Sequence, residues 1–126
     1  MTRRRTTLGL QGEEIAARHF ESRGFRILAR RYRTRLGEID LVARSDDLLV
    51  FIEVKTRTGA GFGSPQESVH PLKQARLCRV ASLFLAEHPA FVRQEITCRF
   101  DVVAILCEQG RPPRLAHIVD AFRPVG

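Results

Sequence analysis

Apolar residues recur at helical spacing through Ile15, Ala16, Ala17 and Phe20, which predicts a helix over residues 9–24 with Gly24 placed to end it in a left-handed conformation. Between residues 25 and 57 that period gives way to three extended runs, FRILARRYR, LGEIDLVAR and LLVFIEVKTR. Thr34-Arg35 and the acidic turn Ser45-Asp46-Asp47 separate them. The stretch GAGFGSP, from Gly59 to Pro65, follows the third run and is expected to be a mobile loop. A second helix is expected from Pro71 through LKQARLCRVASLFLAEH, with a buried stripe of Leu77, Val80, Ala81 and Phe84 and a stop at Pro89. Two further strands, Thr97 to Leu106 and Leu115 to Ala121, flank the turn EQGRPP. The resulting order, αβββαβ with an additional C-terminal strand, predicts an α/β fold: a single mixed β-sheet flanked by helices.

The pairing of the second and third strands carries the chemistry. A turn centred on Asp46-Asp47 sets opposite each other residues whose numbers sum to 93. One face then carries Ile39 with Val54, Leu41 with Ile52, and Ala43 with Val50. The other carries Val42 with Phe51, Asp40 with Glu53, and Glu38 with Lys55. Two facing carboxylates, Asp40 and Glu53, call for a cation, and a hard divalent ion with oxygen ligands at about 2.0 to 2.1 Å suits the gap. Lys55 would lie beside it. The plainer alternative is a solvated strand face with a Glu38–Lys55 ion pair. Against it, Glu53 interrupts an apolar run from Leu48 to Val54, where a charge needs compensation.

A length of 126 residues allows one domain, expected to span 1–126, with residues 1–8 a disordered basic N-terminus. No apolar run reaches the roughly 20 residues of a membrane span, so no membrane partner is expected and the cytoplasm is the expected location. Cys78, Cys98 and Cys107 have no zinc-type spacing and are expected to be buried thiols. His19, His70, His88 and His117 likewise show no ligand spacing. The net charge of +7 points to a polyanionic partner. Its makeup sharpens the reading of the site: 19 arginines stand against only two lysines, Lys55 and Lys73. A lysine kept at 55 suggests that a compact ammonium is wanted there, with a pKa that responds to burial.

These residues bring the chain to a family resemblance. A helix-borne acid, then Asp40, then the triplet Glu53-Val54-Lys55 resembles the PD-(D/E)XK nuclease superfamily. The strings GEEIAARHF, GEIDLV, FIEVKTR and RFDVV are similar to its YraN-like family of uncharacterised bacterial proteins. The resemblance implies a restriction-endonuclease-like core, as in Holliday-junction resolvases, and Mg2+ or Mn2+ as cofactor. It also implies endonuclease-type hydrolysis of phosphodiester bonds in nucleic acid, DNA ahead of RNA, with branched or structured DNA among the substrates. Asp40 and Glu53 would be the metal ligands with the Val54 carbonyl completing the set, and Lys55 would orient or deprotonate the attacking water. Glu13 would be the helix-borne acid; it also lies on the sheet-facing stripe, whereas Glu14 does not. Stabilisation of the first helical turn is the competing role for Glu13. Arg31 stands where the branch is expected to have asparagine.

Arg26, Arg30, Arg31, Arg33, Arg35 and Arg57 flank the acidic cluster in sequence and could form a phosphate-tracking rim, joined by Lys73 on the second helix. Solvated arginines protecting an edge strand fit some of them equally well. Asp101 is expected to be structural, paired with a nearby arginine. The rival of another class is a nucleic-acid-binding module that keeps the acidic cluster and cleaves nothing. Cleavage of a junction would need a symmetric pair of sites, as in a homodimer.

Overall fold

The computed structural model describes residues 7–58 and 69–123. The expected mobile loop at 59–65 and most of the expected disordered N-terminus lie outside those residues, while Thr7 and Leu8 already belong to the first helix. The elements run α1 (Thr7–Glu21), β1 (Arg26–Thr34), β2 (Gly37–Ser45), β3 (Leu48–Thr58), α2 (Pro71–Glu87), α3 (Pro89–Arg93), β4 (Thr97–Cys107) and β5 (Arg114–Phe122). They form one five-stranded sheet in the order β1-β2-β3-β4-β5, with β3 and β4 parallel and the other pairs antiparallel. The α2–α3 segment makes the crossover that a parallel pair requires. The fold class and the order of elements are those expected. The short α3 was not, because Pro89 was read only as a stop, whereas proline also suits a first helical turn.

Each sheet face buries one helix. Leu77, Val80, Ala81 and Phe84 of α2, the stripe read from the sequence, pack on Val42, Phe51, Phe100 and Val102. On the other face Ala16, Ala17 and Phe20 of α1 pack on Leu41, Ala43, Val50, Ile52, Val103 and Ile105. The two alanines let α1 lie close to the strands. Gly12 takes the approach further, since a Cβ there would overlap Thr56 Oγ1 on β3. At the far end of α1 the Phe25 amide bonds the Phe20 carbonyl at 3.1 Å, and Gly24 has a φ of 89°, a left-handed termination as its sequence suggested.

The first two strands are less regular than alternation predicts. The β1–β2 register shifts between Ile27 and Ala29, and Arg31, opposite the Asp40 region, has a φ of 49°. An alternating β2 would place Ile39 with Leu41 on the α1 face. Ile39 packs instead in the α2 cluster with Val42, so the strand changes its facing at Asp40.

Candidate active site

The β2–β3 ladder follows the expected register from Ser45–Leu48 through Ala43–Val50 and Val42–Phe51 to Leu41–Ile52, and its pairing ends there. The predicted pairs Asp40–Glu53, Ile39–Val54 and Glu38–Lys55 are not part of it. Beyond Leu41, β2 stays with β1, pairing Ile39 with Tyr32 and Glu38 with Arg33. Beyond Ile52, β3 stays with β4. The two strands therefore part at the candidate site residues, and the Asp40 carboxylate bridges the opening: its Oδ2 accepts the Val54 N–H at 2.8 Å.

This splay changes the composition of the cluster. Glu38 leaves with β1 and accepts Arg33 Nε at 2.8 Å, so its expected pairing with Lys55 is not formed. Asp40 and Glu53 remain, both buried in spite of their charge. Lys55 Nζ lies 3.9 Å from Glu53 Oε1, and Lys73, in the first turn of α2, donates to the same oxygen at 2.5 Å. Sequence reasoning put Lys73 among phosphate contacts and missed this bond, which depends on where α2 lands after the crossover. Its start is fixed locally: His70 Nδ1 accepts the Leu72 amide at 3.1 Å, and Pro71 fills the first turn.

The two lysines are driven apart in basicity. Burial, and then the neighbouring Lys73 ammonium, holds Lys55 below the usual lysine range, with Glu53 pulling it back only in part. Burial acts against the Lys73 charge too, but the Glu53 carboxylate and, more weakly, Asp40 outweigh it, so Lys73 is raised. One ammonium is thus held at Glu53, with Asp40 adding to the field, while the other loses its proton more readily.

Glu13 is buried on α1 and bonds Arg31 Nη1 at 3.1 Å. It lies beyond the first helical turn, which removes the helix-end role considered for it. Arg31 reaches it from a left-handed backbone, the conformation asparagine tolerates best among ordinary residues, which gives a physical reason for the expected asparagine at that position. Of the proposed phosphate rim, Arg30 bonds Glu14 at 2.8 Å and Arg33 bonds Glu38, so part of its charge is compensated internally. Arg35 and Arg57 are exposed and have no carboxylate partner among the described residues.

The donor set suits a hard cation better than a soft one. Asp40, Glu53 and the Val54 carbonyl offer oxygen only, and an ammonium already stands at Glu53 where a cation would be needed. Among the described residues no three His, Cys, Asp or Glu side chains are gathered into a protein-only cage. An ion here would keep waters or substrate oxygens in its shell, as magnesium commonly does.

A second polar cluster lies on the α1 face. Asp101, as expected, pairs with an arginine: Arg99 donates to it twice at 2.8 Å. It also takes His117 Nε2 at 2.7 Å and the Asp120 amide at 3.0 Å across a shift in the β4–β5 register. His117 Nδ1 lies 2.9 Å from His19 Nε2. That contact joins residues 98 apart in the chain, which no spacing rule detects. Cys98 is exposed and Cys78 and Cys107 are half-buried, not the buried thiols expected.

The model of the Uncharacterised protein family UPF0102 matches residues 12–105. The chain belongs to this family. It is 49% identical over 115 residues to a UPF0102 protein of Syntrophomonas wolfei, covering 91% of this chain and 96% of the relative. A UPF0102 protein of Acidothermus cellulolyticus is 48% identical over 126 residues, with 94% and 95% coverage. One from Rhodococcus opacus is 45% identical, with 91% and 95% coverage. The match to UPF0102 begins at Gly12, the glycine pressed on Thr56, and takes in Glu13, Asp40, Glu53, Lys55 and Lys73. Among the described residues of this UPF0102 protein, no helix is long and apolar enough to cross a membrane.

Proposed function

We propose that this UPF0102 protein is a metal-dependent nuclease-like phosphodiesterase acting on nucleic acid, DNA ahead of RNA. The observation that carries the reading is the opening between β2 and β3, where two buried carboxylates, Asp40 and Glu53, meet a half-buried lysine whose pKa is held down. Charged groups gathered at a strand opening cost stability and are characteristic of sites that do chemistry. The net charge of +7 and the exposed Arg35 and Arg57 supply attraction for a polyanion.

Asp40, Glu53 and the Val54 carbonyl would hold Mg2+ or Mn2+. When bound, such an ion supplies Lewis-acid polarisation of the phosphoryl oxygen and a more acidic water. The chain's own part is positional. Asp40 is held by the Val54 amide, and Glu53 projects from a central strand with Lys73 on its carboxylate. Lys55 Nζ, on the residue after Val54, orients the attacking water, and its lowered pKa favours the neutral amine that can accept the water's proton. Glu13, with its charge balanced by Arg31, supports the α1 side of the opening.

One observation favours a second reading. The Lys73–Glu53 ion pair compensates a buried charge without any metal, as a non-catalytic nucleic-acid-binding module would need. Labelled single-stranded, duplex and four-way-junction DNA, with matching RNA, incubated with Mg2+, Mn2+ or EDTA separates the two. The nuclease reading predicts metal-dependent cleavage that is absent from an Asp40→Asn/Glu53→Gln protein purified alongside. Binding without cleavage across the whole panel would support the module and overturn the nuclease.

A further inference from the structure

We infer that Lys73 is a resident counter-cation that occupies Glu53 until a divalent ion displaces it, and that its freed ammonium then turns to a substrate phosphate. The inference rests on the metal-dependent reading above. It makes Lys73 a positioning residue whose partner changes when the site is loaded.

Three features of the structure carry it. The carboxylate and the ammonium sit on supports of unequal rigidity: Glu53 projects from a central strand paired with β4 and its side chain is 9% exposed, whereas Lys73 reaches in on a flexible four-carbon arm and is 35% exposed. The ammonium can therefore leave toward solvent while the carboxylate cannot. Lys73 also belongs to the first turn of α2, the end at which the helix dipole disfavours a cation, so the Glu53 contact is what keeps it there. Finally, among the described residues the carboxylate that Lys73 hydrogen-bonds is Glu53, through Oε1, while Asp40 adds to the field that holds its charge. A divalent ion with twice the charge can coordinate oxygens of both acids, and once there it repels an ammonium a few ångströms away. A freed lysine beside the opening is the group that would meet the phosphate of a bound strand.

The chain offers a direct readout, since Lys55 and Lys73 are its only lysines. Wild-type protein is pulsed with an amine-acylating reagent, with and without saturating Mg2+, and modification at each lysine is quantified by mass spectrometry. Calorimetric titration with Mg2+ is run beside it on the wild type, Lys73→Met, Lys73→Arg and Asp40→Asn. Modification of Lys73 should rise severalfold with Mg2+ while Lys55 does not follow. Lys73→Met should bind Mg2+ about tenfold more tightly than wild type, the scale expected for removing a competing charge in contact with a ligand, and Lys73→Arg should restore the weaker affinity. If Mg2+ binds the wild type and not Asp40→Asn, but Lys73 modification or the Lys73→Met affinity is unchanged, displacement is wrong and the metal site stands. If neither the wild type nor Lys73→Met takes up Mg2+, the displacement and the metal-dependent reading fall together.

Discussion

Asp40 accepts the backbone N–H of Val54 through its side chain, so a carboxylate takes the place of a main-chain partner where β2 and β3 separate. Asparagine keeps an acceptor oxygen for that amide and loses the charge; alanine leaves the amide without it. Asp40→Asn should therefore unfold in urea close to wild type, while Asp40→Ala should lose roughly 1 to 3 kcal/mol. Equal stabilities for the two variants would show that the Val54 bond contributes nothing.

Divalent cations should stabilise the fold through the same residue. Mg2+ or Mn2+ at about 100 times its Kd adds about 2.7 kcal/mol by mass action, which appears as a raised Tm. Asp40→Asn is expected to show no such rise. A shift of the same size in that variant would place the bound ion elsewhere.

The arginine rim should act unevenly. Because Arg30 and Arg33 already bond Glu14 and Glu38, reversing the charge of exposed Arg35 or Arg57 should lower the salt dependence of nucleic-acid binding by about one unit per lost contact. Reversal at Arg30 or Arg33 should do less. Binding isotherms over a range of salt concentrations decide it, and a larger effect at Arg30 than at Arg57 would contradict the assignment.

Acid should lower the protein's stability over two separate pH ranges. For His19, burial first and then the charges of His117 and Arg23 hold the folded pKa below the ordinary 6.5. The unfolded chain takes the proton first, so stability falls as pH drops from about 6.5 toward that folded value. For Asp101, burial would raise the pKa, but bonds from His117, Arg99 and the Asp120 amide outweigh it and leave the carboxyl below 3.8. Its contribution is complete above 3.8 and is lost as pH falls through the folded value. Urea unfolding at stepped pH should show both declines, and His19→Gln should remove the upper one. An unaltered upper decline in His19→Gln would assign it to another group.

What the sequence revealed depended on the range of the interaction. The α2 stripe Leu77, Val80, Ala81 and Phe84 and the Leu41–Ile52 register were legible because helical period and turn geometry are local. The facing of Ile39 was not, since the β1 irregularity and left-handed Arg31 change strand parity without a glycine or proline to announce it. At the site, Asp40, Glu53 and Lys55 could be read from a single hairpin. Glu38 was lost from the cluster because the ladder ended three pairs short of it, and Lys73 was gained because a crossover delivered it. Asp101 meets His117 through the β4–β5 pairing, and His19 joins them from α1, so their contact had no signal in spacing.

Catalysis by this opening is tested most directly at Lys55, where the nuclease and the binding module differ most. Lys55→Arg keeps the positive charge and the attraction to phosphate, yet a guanidinium is bulkier, planar and effectively never deprotonated. Single-turnover cleavage of whichever substrate the wild type cuts should fall by roughly two orders of magnitude or more in Lys55→Arg, the scale of general acid–base assistance, with nucleic-acid affinity and fold retained. A folded Lys55→Arg protein cleaving at the wild-type rate would contradict the role assigned to Lys55 and, with it, the account of this site.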